Sequence, residues 1–168
     1  IIAGGHGGGG SEVYGPVYIF QRNGTDWLEQ CKFISSDFSF GHAISISADY
    51  AVVGAPDEDN DDEVRSGAAH VYKRNGTSWT EQPRLIAPDA AALDCFGSSA
   101  SISGDCIIVG APYDDDDANF QSKNVGSVYV FKRFGSGFRQ QAKLSASDGT
   151  HDDHFGNSLS SDGDYVII

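Results

Sequence analysis

One long motif occurs nearly twice in this chain, and a third copy starts near its end. FGHAISISADYAVVGAP occupies residues 40–56, FGSSASISGDCIIVGAP residues 96–112, and FGNSLSSDGDYVII residues 155–168. Such repetition constrains the fold more than any other feature, because every copy must adopt the same local structure and bury its apolar face against a neighbouring copy. The Phe-Gly pairs at Phe40, Phe96 and Phe155 are 56 and 59 residues apart, and Gly-Ala-Pro follows at residues 54–56 and 110–112. A second shared stretch reads GPVYIFQRNGTDWLEQ from Gly15, GAAHVYKRNGTSWTEQ from Gly67 and GSVYVFKRFGSGFRQQ from Gly126, with spacings of 52 and 59. The shorter spacing arises between Phe33 and Phe40, 7 positions apart, where Leu85 to Phe96 and Leu144 to Phe155 each span 11. Length differences of this kind belong in loops. The copies divide the single domain 1–168 into units of about 1–39, 40–95 and 96–154, with a partial unit over 155–168.

Each full unit offers four strand candidates. AISISA and YAVVGA flank Ala48-Asp49, and the same hairpin recurs around Gly104-Asp105 and Gly163-Asp164. AAHVYKR and SWTEQPRLI are joined at Asn75-Gly76, a strong hairpin signal repeated at Asn23-Gly24. With Asn-Gly at the turn centre, Tyr72 falls opposite Trp79 and Phe20 opposite Trp27, cross-strand aromatic pairs that contribute roughly 0.2–1 kcal/mol each. The runs VYIF, VYVF and IIVGA are apolar at consecutive positions, the pattern of sheets covered on both faces. The fold class expected is therefore all-β, with four-stranded antiparallel sheets stacked as β-propeller blades, about three repeats in all. A β-sandwich would show strict alternation and no long-period repeat.

Phe-Gly, about a dozen residues, then Gly-Ala-Pro resembles the FG-GAP repeat of integrin α-chain propellers and of many microbial surface or secreted proteins. The resemblance spans the whole chain. It implies a propeller with the Phe-Gly and Gly-Ala-Pro ends at strand boundaries, and an extracellular or cell-surface location. The function it implies is a non-enzymatic one in binding, adhesion or structural assembly, with protein or glycan partners on the loop face. The alternative is part of a lectin or secreted enzyme whose site is completed by blades absent from this chain. IIAGGH at residues 1–6 aligns with AVVGAP at 51–56, and the closing YVII with residues 50–53. The chain is accordingly read as part of a larger propeller or assembly, with further blades or self-association completing it.

The formal charge of −13 repels phosphate backbones and anionic lipid, so neither nucleic acid nor membrane insertion is expected. The three cysteines, Cys31, Cys95 and Cys106, show no CxxC spacing and are read as buried, inert thiols, with one disulfide and a leftover as the other arrangement. No Gly-x-Ser-x-Gly, HExxH, P-loop or Cys–His pairing is present. The glycine-rich residues 4–10 lack a lysine and read as a flexible connection.

The sharpest polar feature is DEDNDDEVR at 57–65. Asp57, Asp59 and Asp61 alternate as calcium-loop ligands do, and the next unit offers Asp114 and Asp116 within DDDD at 114–117. The sixth position is Asp62 rather than Gly and the twelfth is Ala68 rather than Glu, so no EF-hand is present. The calcium loop of integrin-type repeats lies between Phe-Gly and Gly-Ala-Pro, where this chain has a single aspartate per unit (Asp49, Asp105 and Asp164). Solvation alone accounts for acidic loops after Gly-Ala-Pro. The expectation is that no cofactor is required and that Ca²⁺ binds weakly at most, in the millimolar range. HDDH at 151–154 has no counterpart histidines in the other units, and His6, His42 and His70 read as packing or surface residues. Asn23-Gly24-Thr25 and Asn75-Gly76-Thr77 satisfy the N-glycosylation rule, although the turn alone explains Asn-Gly.

Overall fold

The computed structural model describes residues 2–4, 15–37, 39–60, 63–115 and 124–168, and its described residues contain strands and turns but no helix. The strands fall into four antiparallel sheets in chain order. The first holds β1 (Ile2–Gly4), β2 (Val17–Asn23) and β3 (Asp26–Phe33). The second runs β4 (Ile44–Ser47), β5 (Tyr50–Ala55), β6 (Ala68–Asn75) and β7 (Ser78–Glu81), each strand paired with the next. The third repeats that order with β8 (Ser99–Ser103), β9 (Cys106–Ala111), β10 (Ser127–Phe134) and β11 (Gly137–Leu144). A hairpin of β12 (Ser160–Asp162) and β13 (Tyr165–Ile167) forms the fourth.

The consecutive apolar runs are explained by which sheet each face meets. Every residue of β5 is buried. Its Tyr50 and Val52 join a cluster with Val71, Phe96, Ile107 and Tyr129, between the second and third sheets. Its Ala51, Val53 and Ala55 join Val17, Ile19, Phe33 and Phe40, between the first and second. A strand with two dry faces needs apolar residues at every position.

Two turns define each blade, and one of them differs from the expected register. Ala48-Asp49, Gly104-Asp105 and Gly163-Asp164 sit at the hairpin centres as expected, flanked by the pairs Ser47↔Tyr50, Ser103↔Cys106 and Asp162↔Tyr165. In the second hairpin, however, Asn75 pairs with Ser78 and Asn23 with Asp26, so Gly-Thr rather than Asn-Gly forms the centre. The first central position has φ near +64° at both Gly24 and Gly76, a left-handed value that glycine adopts without a Cβ clash. Trp79 therefore faces Arg74, Tyr72 faces Glu81, Trp27 faces Arg22 and Phe20 faces Glu29. The expected cross-strand aromatic pairs do not form. A two-residue displacement keeps each side chain on its face, so Tyr72 and Trp79 both close on Phe33 of the preceding sheet. Tyr72 stacks on it at 3.8 Å, and Trp79 meets it edge-on at 6.3 Å.

The repeated glycines mark where successive sheets touch backbone to backbone. A Cβ on Gly54 would stand 2.0 Å from the Gly97 carbonyl oxygen, and one on Gly110 would stand 2.0 Å from that of Gly156. The Gly of Phe-Gly in one unit thus seats on the Gly of Gly-Ala-Pro in the unit before.

Two substitutions test these readings by urea denaturation. Gly54→Ala is expected to destabilise by about 3 kcal/mol through overpacking, while Gly76→Ala, with open space around it, costs roughly 1–2 kcal/mol of backbone strain. Ala48 is the one Cβ-bearing residue among the three equivalent left-handed turn positions, at φ 51° where Gly104 and Gly163 have 56° and 57°. Ala48→Gly should therefore stabilise by roughly 0.5–1 kcal/mol.

Candidate functional site

The polar groups that recur from unit to unit gather in the seams between sheets. β8 and β12 end their sheets, so each leaves one row of backbone groups without a strand partner. Serines of the preceding sheet meet part of that row. The N–H groups of Ile102 and Gly104 donate to Ser45 Oγ and Ser47 Oγ at 3.1 and 3.3 Å. One unit on, Ser161 and Gly163 donate to Ser101 Oγ and Ser103 Oγ at 3.1 and 3.0 Å. The alternating serines of AISISA and SASIS thus form a staircase from sheet to sheet.

Charged groups form a clasp in two of the seams, between the second and third sheets and between the first and second. Between the second and third sheets, the Tyr129 hydroxyl lies 2.6 Å from Asp114 Oδ2 and 2.9 Å from Asp89 Oδ1. Lys143 Nζ donates to the same two carboxylates at 2.9 and 2.8 Å. Asp89 comes from the connection after β7, so the clasp ties one sheet to the next. Partial burial acts to raise the Asp89 pKa, but hydrogen bonds from Lys143 and Tyr129 outweigh it and hold the carboxyl below its usual range. Burial and the two acids push the Tyr129 phenol far up.

Between the first and second sheets the same four places are filled differently. His70 stands at the position of Tyr129, Glu58 at that of Asp114, Arg84 at that of Lys143 and Asp37 at that of Asp89. His70 Nε2 is 2.7 Å from Glu58 Oε2 and 3.6 Å from Asp37 Oδ2, and its Nδ1 is 2.8 Å from Glu81 Oε1. Arg84 pairs with the other oxygen of Glu58. Asp37, Glu58 and His70 each bring one polar atom within 4.8 Å of the others. Arg84 pairs with Glu58 here, whereas Lys143 bridges both acids of the other clasp.

The acidic residues singled out in the sequence go to several places. Asp57 accepts from Arg65 and Ser39, whose hydrogen bonds overcome partial burial and hold its carboxyl below the ordinary range. Asp59 Oδ1 accepts the Arg65 backbone N–H at 2.7 Å. Asp114 is buried in the clasp rather than solvated. Asp61 and Asp116 lie outside the described residues, as does His6. In HDDH, His151 pairs with Asp152 at 2.8 Å, Asp153 accepts the Thr150 N–H, and the His154 ring meets Tyr113 edge-on at 4.9 Å, so these side chains do not converge. Asn23 and Asn75 are exposed at the ends of β2 and β6. All three cysteines are free, with Cys95 buried and the other two half-buried.

From the sequence His70 reads as a packing or surface residue. The signal for its clasp is in the stacked units, where Tyr18, His70 and Tyr129 share one column and Lys32, Arg84 and Lys143 another. Asp37, Asp89 and Asp148 form a third column. Polar types persisting in columns beside apolar strands mark a shared internal contact.

Left-handed backbone also recurs by column: Ser39, Cys95 and His154 precede the three Phe-Gly pairs with φ of 58°, 55° and 52°. That strain belongs to the repeat itself. Sheets of this topology, joined by seams that repeat with the sequence, make the chain a propeller-type repeat protein. The FG-GAP repeat family model matches residues 27–72, 79–131 and 138–168, and the chain belongs to that family. FG-GAP repeats are propeller repeats and are typical of extracellular or surface proteins. No curated protein matches the chain. Among the described residues no helix is long and apolar enough to cross a membrane.

Two measurements probe the seams. Tyr129→Phe removes the phenol donor and leaves Lys143 as the donor to Asp89 and Asp114, which should cost about 1 kcal/mol in urea denaturation. Asp94, buried beside Asp114 and accepting the Ala91 N–H, is pushed up from 3.8 to about 7, chiefly by burial. A folded-state value above the unfolded one means that its contribution is greatest below about pH 4 and is lost as pH climbs toward 7. Asp94→Asn, which keeps an acceptor for Ala91, should raise the melting temperature at pH 8 and flatten the pH dependence between 4 and 7.

Proposed function

We propose that the chain is a non-enzymatic module of an extracellular binding, adhesion or structural-assembly protein, in which FG-GAP blades form a frame and the connections between strands present the binding surface. The observation that carries this reading is the destination of the recurrent polar side chains. Serine staircase and charged clasp both join blade to blade, whereas the connections after β5 and β9 differ between units in length and charge. The most strongly shifted carboxyl, Asp94, is committed to a backbone N–H rather than aimed at a nucleophile.

The partners proposed are proteins or glycans on that loop face, with nucleic acid disfavoured by the charge of −13. A further blade, from the same or a second chain, is proposed against the last hairpin. Tyr165 and Ile167 of β13 are 83% and 74% exposed, and Ser160, Asp162 and Asp148 occupy the places of Ser101, Ser103 and Asp89. Asn23 and Asn75 are proposed glycan acceptors where the protein passes through a eukaryotic secretory route, which peptide mass spectra of native material would check.

No cofactor is required in this reading. Weak Ca²⁺ binding at most is proposed for Asp57, Asp59, Asp61, Asp114 and Asp116, because Asp57, Asp59 and Asp114 already accept from N–H, O–H or cationic groups. Calorimetry should show millimolar-range affinity, and micromolar affinity abolished by Asp59→Asn with Asp61→Asn would overturn this.

The reading as a whole is tested by solid-phase binding to immobilised matrix proteins and glycans. The parent is compared with an Asp57→Asn, Asp59→Asn, Asp115→Asn variant, and both are assayed against ester, glycoside and phosphoester substrates. Binding that weakens in the variant, without turnover in either protein, is the expected outcome. Turnover by the purified parent would overturn it.

A further inference from the structure

The clasps share a geometry but not a chemistry. Between the second and third sheets the central group is a phenol; between the first and second it is an imidazole with carboxylates at both nitrogens. An ionised carboxylate only accepts hydrogen bonds, and a neutral imidazole carries a single N–H. A neutral His70 would therefore set lone pair against lone pair at 2.7 Å from Glu58 or 2.8 Å from Glu81. The imidazolium donates to both.

The surrounding charges point the same way. Facing the ring are Glu58 from the connection after β5, Glu81 from β7, and Asp37 from the connection after β3. Arg84 lies behind Glu58, the Phe40 ring meets the imidazole edge-on at 5.2 Å, and the Tyr72 phenol stands close to the same acids, with the Cys31 thiol beside it. With its proton, His70 joins Arg84 as a second cation against three carboxylates; without it, Arg84 alone opposes all three. In the other seam Gln140 takes the place of Glu81, and Lys143 opposes two carboxylates. Counting only the groups in direct contact, both clasps carry the same excess of one negative charge when His70 is protonated. His70 departs from its column, where the other units have Tyr18 and Tyr129, whereas Glu81 matches Glu29 of the first unit and becomes Gln140 in the third.

We propose that the seam between the first and second sheets is a proton-operated clasp. His70, as an imidazolium between Glu58 and Glu81, holds the Asp37 connection of the first sheet against the second. Loss of the proton on alkalinisation loosens the first sheet while the Tyr129 seam stays closed. Burial alone would lower the imidazole pKa, but the hydrogen bonds and charges of Glu58 and Glu81 outweigh it and raise it above its ordinary value of 6.5. A raised folded-state value means that the contribution is fully present below pH 6.5 and fades as pH rises through that value. Tyr129, whose phenol is pushed the same way, keeps its proton throughout.

The test combines imidazole nitrogen NMR with hydrogen exchange on the full chain in the presence of EDTA. His70 should show both nitrogens protonated at pH 6 and titrate later than a histidine in a model peptide. After correction for intrinsic chemistry, β2 and β3 amides should exchange about tenfold faster at pH 9 than at pH 6, relative to those of β10 and β11. His70→Tyr with Glu81→Gln, which copies the other seam, should abolish that difference. A parallel series in Asp94→Asn removes a buried carboxyl that is pushed up to about 7. Should the double variant fail to fold, Glu81→Gln alone should bring the His70 titration down. A singly protonated ring at pH 6, or an equal response of both seams to pH, would overturn the proposal.

Discussion

The close backbone approach of Gly54 to Gly97, and of Gly110 to Gly156, sets the distance at which every other contact between blades operates. A methyl group at either position would force the sheets apart. At the observed spacing a serine hydroxyl, the shortest side chain able to accept a hydrogen bond, reaches the neighbouring strand's N–H groups. The same spacing lets β5 have two dry faces, each packed against another sheet. The Phe-Gly and Gly-Ala-Pro signatures are thus two halves of one contact, placed in successive units.

Charged groups in such seams are costly to desolvate and stabilise only when their hydrogen-bonding capacity is met. The clasps meet that condition with few residues. Lys143 reaches both acids of its clasp, and the Tyr129 hydroxyl lies within hydrogen-bond distance of the same two. Each clasp also draws its members from two sheets, so it is complete only when the correct neighbour is in place. That is the situation in which buried polar groups specify an arrangement as well as stabilise it.

Much of the fold was legible because the repeat period and the strand patterning are local properties. The hairpin centres at Ala48-Asp49 and Gly104-Asp105 are where the sequence puts them, with the left-handed first position immediately before an aspartate in both units. The Asn-Gly turns were misplaced by one residue, because the left-handed position goes to the residue without a Cβ and shifts the register with it. The clasps were harder to see. Their residues come from four separate segments, and no contiguous motif contains them. Asp114 reads as one of a run of acids and therefore as solvated, yet its place beside Tyr129 is set by tertiary packing that charge patterning does not encode.

The serine staircase gives the array a polarity. Hydroxyls on one blade serve N–H groups on the next, and among the described residues the relation is not mutual, so the two faces of a blade are different surfaces. Duplication of a whole unit would insert a blade whose front and back both find their proper counterparts. A blade turned over would lose the match between serine hydroxyls and the next blade's N–H groups. Growth and rearrangement of such arrays are therefore vectorial, and head-to-tail order follows from the placement of small hydroxyl side chains.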